Sequence, residues 1–157
     1  MIGKYEVKQI NNLLDMKLDD LFAESKQEGF RFVERLINDY KNGSNTFSLA
    51  GEGLFGVFSE EGTLIAIGGL NQDPFSNGHK IGRLRRFYVR KAFRRHGIGS
   101  LLVKGIMDEA SKHYKVLVLH TDTEQGDLFY RSIGFSKGER YPNSSHYIDC
   151  KPHQAQS

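Results

Sequence analysis

The sequence predicts an α/β fold of the α+β kind, with about four helices on a mixed, mostly antiparallel sheet of about seven strands. Three observations carry that expectation. Strand-like and helical segments alternate along the whole chain, two consecutive strands meet across a tight glycine turn, and one strand, helix, strand run has the length of a βαβ unit. At 157 residues the chain has the size of one domain, expected over residues 1–150, with 151–157 as a flexible tail.

Residues Lys4 to Ile10 form the first predicted strand. Asn11 or Asn12 then caps a helix that carries Leu14, Leu18, Leu21 and Phe22 on one face and stops at Gly29. Phe30, Val33, Leu36, Ile37 and Tyr40 recur at helical spacing, and Asn42-Gly43 supplies the stop of a second helix. Leu54 to Ser59 and Thr63 to Leu70 read as a hairpin across Glu60-Glu61-Gly62. After a polar loop through Asn71, Pro74 and Gly78, a fourth strand runs from Ile81 to Val89. Its period of two slips between Leu84 and Phe87, which predicts a β-bulge. A helix from Gly97 to Tyr114 buries Ile98, Leu101, Leu102, Ile106 and Ala110, and the apolar run from Lys115 to His120 fits a buried parallel strand. A shorter helix covers Glu124 to Ile133, closed by Gly134 and Phe135 in a Schellman motif. Lys137 to Tyr141 and Ser145 to Cys150 complete the strands.

Composition narrows the function. With Gly counted and Tyr left out, the apolar share is about 44%, enough to support a packed core and to exclude disorder as the main state. The longest nearly unbroken apolar stretch, Leu64 to Leu70, is far too short to span a bilayer, and the N-terminus lacks the apolar core of a signal peptide. No membrane partner is expected. The single cysteine, Cys150, excludes an internal disulfide and a multi-thiolate metal site, and fits a cytoplasmic location. No metal ligand set is assigned.

Charge is segregated. Between Asp73 and Asp108 there is no acidic residue, while Lys80, Arg83, Arg85, Arg86, Arg90, Lys91, Arg94, Arg95 and Lys104 all fall there. Such a block attracts polyanions, either a nucleic acid or a highly phosphorylated small molecule. Within it, Arg94-Arg95-His96-Gly97-Ile98-Gly99-Ser100 lies where the bulged strand turns into a helix. The first N–H groups of a helix lack internal partners and sit at the positive end of its dipole, and small residues there let an anion reach the backbone. The spacing matches neither a P-loop nor the dinucleotide fingerprint, which needs a small residue where Leu102 stands.

On these residues the chain resembles the GCN5-related N-acetyltransferases (GNAT), whose signature Q/R-x-x-G-x-G/A opens the helix after strand four and stands here as Arg94-Arg95-His96-Gly97-Ile98-Gly99. Leu84-Arg85-Arg86-Phe87-Tyr88-Val89 is similar to the family's bulged strand. Phe129-Tyr130-Arg131-Ser132-Ile133-Gly134-Phe135 is similar to its second motif. The resemblance implies a sheet splayed between strands four and five and an acetyl-CoA cosubstrate. Its pyrophosphate would rest on the N–H groups of Arg95, His96, Gly97, Ile98, Gly99 and Ser100 beside Arg94. Phe87, Tyr88 and Val89 would line the pantetheine, the Val89 N–H polarising the thioester carbonyl, with Thr123 also at the cofactor.

The resemblance further implies an acceptor that is a primary amine on a small molecule or peptide, in a monomer or homodimer. Tyr130 would be the general acid, its unperturbed pKa of about 10 lying near that of an alkyl thiol. Two departures stand out. Thr123 and Gly126 replace the family's common Asn and Ala, and Arg83 and Arg85 stand around the strand-four position where many relatives carry a glutamate base. No general base is assigned; Glu52, Asp73, His120, Asp122, Glu124 and His146 are the candidates. The acidic first helix, with Asp15, Asp19, Asp20 and Glu24, is compatible with a cationic amine. Two other readings stay open: a nucleic-acid-binding module built on the basic block, and a coenzyme A sensor without turnover.

Overall fold

The computed structural model describes residues 4–76 and 80–150. The expected tail 151–157 and Gly78 of the polar loop therefore lie outside the described residues.

The elements follow the predicted order, beginning with β1 (Tyr5–Gln9). The first helix differs from expectation. Asn12 does act as a cap, its Oδ1 accepting from the Leu14 N–H at 3.1 Å, but it caps a single 3-10 turn, Leu13–Asp15. Met16 is then extended, and α1 (Asp19–Gln27) starts afresh. Burial explains the break: the turn sinks Leu13 completely and leaves Leu14 half exposed, so of the stripe that suggested one continuous helix Leu18, Leu21 and Phe22 pack into the core and Leu14 does not. Gly29 ends α1, and α2 (Phe32–Asn42) ends at Gly43 as the sequence predicts.

The strands β2 (Gly53–Ser59) and β3 (Leu64–Gln72) form the hairpin, followed by β4 (Ile81–Val89), α3 (Ile98–Ala110), β5 (Val116–Leu119), α4 (Glu124–Ile133), β6 (Ser136–Lys137) and β7 (His146–Asp149). Helix α3 is shorter than expected, the residues after Ala110 continuing only as turns to Tyr114. The Schellman closure of α4 is present: Phe135 N–H reaches the Tyr130 carbonyl and Gly134 N–H that of Arg131. Strand β6 is also shorter than predicted, because the segment beyond Lys137 loops away to give the carbonyls of Pro142 and Asn143 to Arg83, each at 2.9 Å.

The seven strands lie in the order β1-β2-β3-β4-β5-β7-β6, with only β4 and β5 parallel. Helices cover both faces. Ile98, Leu102, Ile106 and Tyr130 pack with Val57, Leu84 and Leu117 on one face, while Leu21, Val33 and Leu36 pack with Ile67 and Tyr88 on the other. The central strands are consequently buried almost throughout.

Strand β4 is irregular along both of its edges. Its register against β3 passes from Ile67↔Tyr88 to Gly69↔Arg85, so Arg86 and Phe87 together face Gly68; this is the predicted bulge, with Arg86 at φ 57°. On its other side β4 pairs with β5 only from Ile81 to Arg83. From Leu84 onward the two parallel strands part, and the sheet is split there as expected.

Candidate active site

The split opens beside the loop joining β4 to α3. A 3-10 turn, Lys91–Phe93, leads into it; Arg95 (φ 66°) and Gly97 (φ 78°) take left-handed conformations on either side of His96. Alternating hand of this kind turns successive N–H groups toward one concavity. Gly97 has open space around it, and no side chain caps α3. Among the described residues no protein acceptor takes the N–H groups of Arg95, His96, Gly97, Ile98, Gly99 or Ser100. Arg95, His96 and Gly97 are exposed, Ser100 is half-buried and the Ile98 side chain lies in the core.

Gly99 meets a different demand. A Cβ there would lie 2.9 Å from the Phe129 ring and 3.6 Å from a Val89 methyl, so a glycine lets the first turn of α3 close against α4 and β4. Arg94 has its guanidinium directed elsewhere: it grips Glu28 of α1 through two bonds of 2.8 and 2.6 Å, and its Nε donates to the Val89 carbonyl at 2.9 Å. The side chain expected to supply charge to an anion thus ties the loop to α1.

Along the open edge of β4, the Arg90 N–H bonds the Ile65 carbonyl and Tyr88 pairs with Ile67. Backbone groups alternate sides along a strand, so the N–H groups of Phe87 and Val89 face the split. Their side chains pack on the α3 face. Tyr88 points the opposite way. It is buried, and its single hydroxyl hydrogen serves two carboxylates, Glu24 at 2.7 Å and Glu28 at 2.6 Å. Burial, then those two glutamates, push its phenol far up.

Tyr130 sits where the loop, the split and the last strand converge. Its ring lies 6.0 Å from Phe87, 4.9 Å from Phe129, 5.6 Å from Phe135 and 6.2 Å from His146. Burial pushes its phenol up from the ordinary value, so it keeps its proton. The hydroxyl makes no hydrogen bond among the described residues, yet it is not sealed from solvent. His146, below it, is fully engaged: one ring nitrogen lies 2.8 Å from Asp127 and the other 2.7 Å from the Ser145 hydroxyl, which accepts from the Thr121 N–H. The Asp127 carboxylate can only accept, so Nε2–H donates to it, and in the neutral ring Nδ1 then accepts the Ser145 hydroxyl hydrogen while that hydroxyl's oxygen takes the Thr121 N–H. Arg131 first and His146 second hold the Asp127 carboxyl well below the usual range. Nothing in the sequence pattern announced this chain of contacts.

The other candidates lie apart. Thr123 caps α4, its Oγ1 accepting from Gly126 N–H at 3.0 Å, and the hydroxyls of Thr121 and Thr123 crowd the place a Cβ would take at residue 126. The two departures therefore belong together. Asp73 is buried against Arg83 at 2.7 Å, and Glu52 accepts from the N–H groups of Leu49 and Gln72. His120, Asp122 and Glu124 are exposed near the start of α4. On α1, Glu24 accepts from Arg90 and from the Lys91 backbone N–H, so this acid of the first helix already has a cationic partner.

A sheet split between a bulged strand and its parallel neighbour, with an uncapped helix N-terminus at the mouth, is the architecture of the N-acetyltransferases. The model of the acetyltransferase (GNAT) family matches residues 13–135, and the chain belongs to that family. A protein of Exiguobacterium sp. 255-15 assigned as an acetyltransferase is 34% identical, with 93% of each chain covered and a TM-score of 0.82. A GNAT-family acetyltransferase of Staphylococcus aureus Mu50 is 16% identical over 94% of this chain and 100% of its own, with a TM-score of 0.74. YhbS of Escherichia coli, solved in complex with CoA, is 12% identical over 96% of this chain and 84% of its own, with a TM-score of 0.66. No curated protein matches the sequence. Among the described residues no helix is long and apolar enough to cross a membrane.

Proposed function

We propose that the protein transfers the acetyl group of acetyl-CoA to a primary amine, using the split between β4 and β5. The observation that carries this is the continuity of unsatisfied donors: the N–H groups of residues 95–100 at the mouth lead directly to those of Phe87 and Val89 along the open edge. Acetyl-CoA, when bound, supplies an activated thioester; its diphosphate suits the loop amides and its amide-bearing arm suits a strand edge.

The residues then divide the work. Val89 N–H faces the place where the carbonyl oxygen takes up negative charge. Phe87 and Phe129 wall the split and keep water from the reacting carbon. The acceptor's neutral amine forms the new C–N bond as the C–S bond breaks; the amine gives up one proton to solvent, the departing sulfur takes one from the Tyr130 hydroxyl, and the Tyr130 oxygen regains its proton from solvent. Burial lifts the Tyr130 phenol away from the match with an alkyl thiol that its ordinary value would give, so what supports the step is a proton held beside the split on a hydroxyl with no other partner among the described residues. The His146, Asp127 and Ser145 chain holds the floor beneath Tyr130.

Thiol release from acetyl-CoA over a panel of amines is the direct test. Turnover is expected, and Tyr130→Phe should lower kcat by roughly 100-fold or more while changing CoA affinity little. An unchanged kcat in Tyr130→Phe removes its role as acid. CoA binding without turnover on any amine would favour the sensor reading. The basic block gives little support to nucleic-acid binding, since Arg83, Arg86, Arg90 and Arg94 are each paired with a carboxylate.

A further inference from the structure

The bulge puts Arg85 and Arg86 at consecutive positions of β4 beside α2, whose Asp39 pairs with Arg86 at 3.5 Å. Arg85 differs from its neighbours. It is half-buried, has no carboxylate within 4 Å and donates no hydrogen bond among the described residues. The nearest counter-charges belong to others: Asp73 to Arg83, and Asp39 to Arg86. Burial, and then the like charges of Arg86 and Arg83, act against the Arg85 cation and outweigh the support it draws from Asp39 and Asp73.

Arg85 lines a cavity of about 360 Å³ between the end of α2, the loop after it and the far ends of β3 and β4. The polar walls of this cavity are already satisfied. Glu52 accepts from Leu49 and Gln72 N–H groups, and Asn45 and Asn71 exchange amide bonds at 2.9 and 3.1 Å. Arg85 is thus, among the described residues, the one guanidinium lining a cavity large enough for a small metabolite, and the two carboxylates of that lining, Asp39 and Glu52, are bonded to Arg86 and to backbone N–H groups instead of to it. Two residues further along β4, across the bulge at Arg86 and at most about 7 Å away, lies Phe87, on the edge that faces the split.

We propose that Arg85 forms the anion subsite of the acceptor, so that the amine acetylated here carries a carboxylate or phosphate on the same small molecule. This rests on the acetyltransferase reading above and names the acceptor class for it. A guanidinium fork matches a carboxylate or phosphate in paired hydrogen bonds, and an anion there relieves the repulsion Arg85 shares with Arg83 and Arg86. Arg85 itself disfavours the ammonium form of an amine held close to it, which serves a site where Arg83 and Arg85 stand around the strand position many relatives give to a base.

The test compares matched acceptors. Glycine, β-alanine and γ-aminobutyrate are assayed against their amides, and phosphoethanolamine against ethanolamine, with the wild type, Arg85→Gln and Arg85→Lys. The wild type should prefer the anionic member of at least one pair, and the pair preferred tells carboxylate from phosphate. In Arg85→Gln that preference, as a ratio of kcat/KM values, should fall roughly 10- to 100-fold, with partial recovery in Arg85→Lys. Equal or better use of the neutral members by the wild type, or an intact preference in Arg85→Gln, overturns the proposal. A second arm does not need turnover: N-acetyl-β-alanine and inorganic phosphate are titrated against both proteins in the presence of CoA. Weaker binding to Arg85→Gln upholds the subsite even where no amine is acetylated, an outcome that would count against the transferase reading alone; equal binding to both proteins overturns the subsite.

Discussion

Gly97 and Gly99 stand two positions apart in one motif and answer to different physics. Gly97 has empty space around it but a left-handed backbone, so an alanine is opposed by conformation alone, at about 1–2 kcal/mol. Gly99 has no such conformation; an alanine there pushes into Phe129. Gly97→Ala should therefore weaken CoA binding by turning the loop amides out of line. Gly99→Ala should destabilise the protein through the α3 to α4 contact whether or not ligand is present. Melting temperatures and CoA titrations of the two variants separate these effects; a Gly97→Ala protein that binds CoA like the wild type would contradict the assigned role of the loop. Arg94 belongs to the same motif, and its position was legible from the sequence. Its engagement with Glu28 was not, because the partner lies in another helix.

Helix α1 and strand β4 are tied by Glu24, Glu28, Tyr88, Arg90 and Arg94. Arg94 first, and Tyr88 after the opposing effect of burial, hold the Glu28 carboxyl below its usual range. For Glu24, burial is outweighed by the Lys91 N–H, Tyr88 and Arg90 together. A carboxylate depressed in the folded state contributes stability above its unfolded value near 4.3, and loses it as pH falls through the lower folded value. Glu28→Gln should cost about 1 kcal/mol at pH 7, the upper end for a partly exposed pair, and flatten the loss of melting temperature below pH 5. Parallel acid slopes for variant and wild type would remove the linkage. The boundaries of α1 and β6 were harder to place than the other elements, because both depend on contacts distant in the chain. The hairpin, the bulge and the stops at Gly29, Gly43 and Gly134 show in sequence because turn chemistry and periodicity are local. The late start of α1 depended on whether Leu13 or Leu14 found the core.

Two half-sheets joined through only Ile81 to Arg83 leave a long split that a bound cosubstrate would bridge. Coenzyme A at 100 times its dissociation constant should stabilise the protein by about 2.7 kcal/mol, or roughly 5–10 °C in melting temperature for a chain of this size. The fragments 3′,5′-ADP and pantetheine, added together, should do less than the intact molecule, because neither spans from the loop to the edge of β4. Equal effects would mean that the split is not bridged.

The order of elements, the bulge and the glycine-opened helix start all follow from neighbours in the chain, and they were enough to indicate the family. Which arginine is left without a paired carboxylate, and what supports Tyr130, depended on groups far apart in sequence: Asp39 meets Arg86 across 47 positions and Glu28 meets Arg94 across 66. A charge is neutralised only by what folding brings within a few ångströms of it, so nine basic residues that look alike in a row become four with carboxylate partners and one, Arg85, facing an open cavity.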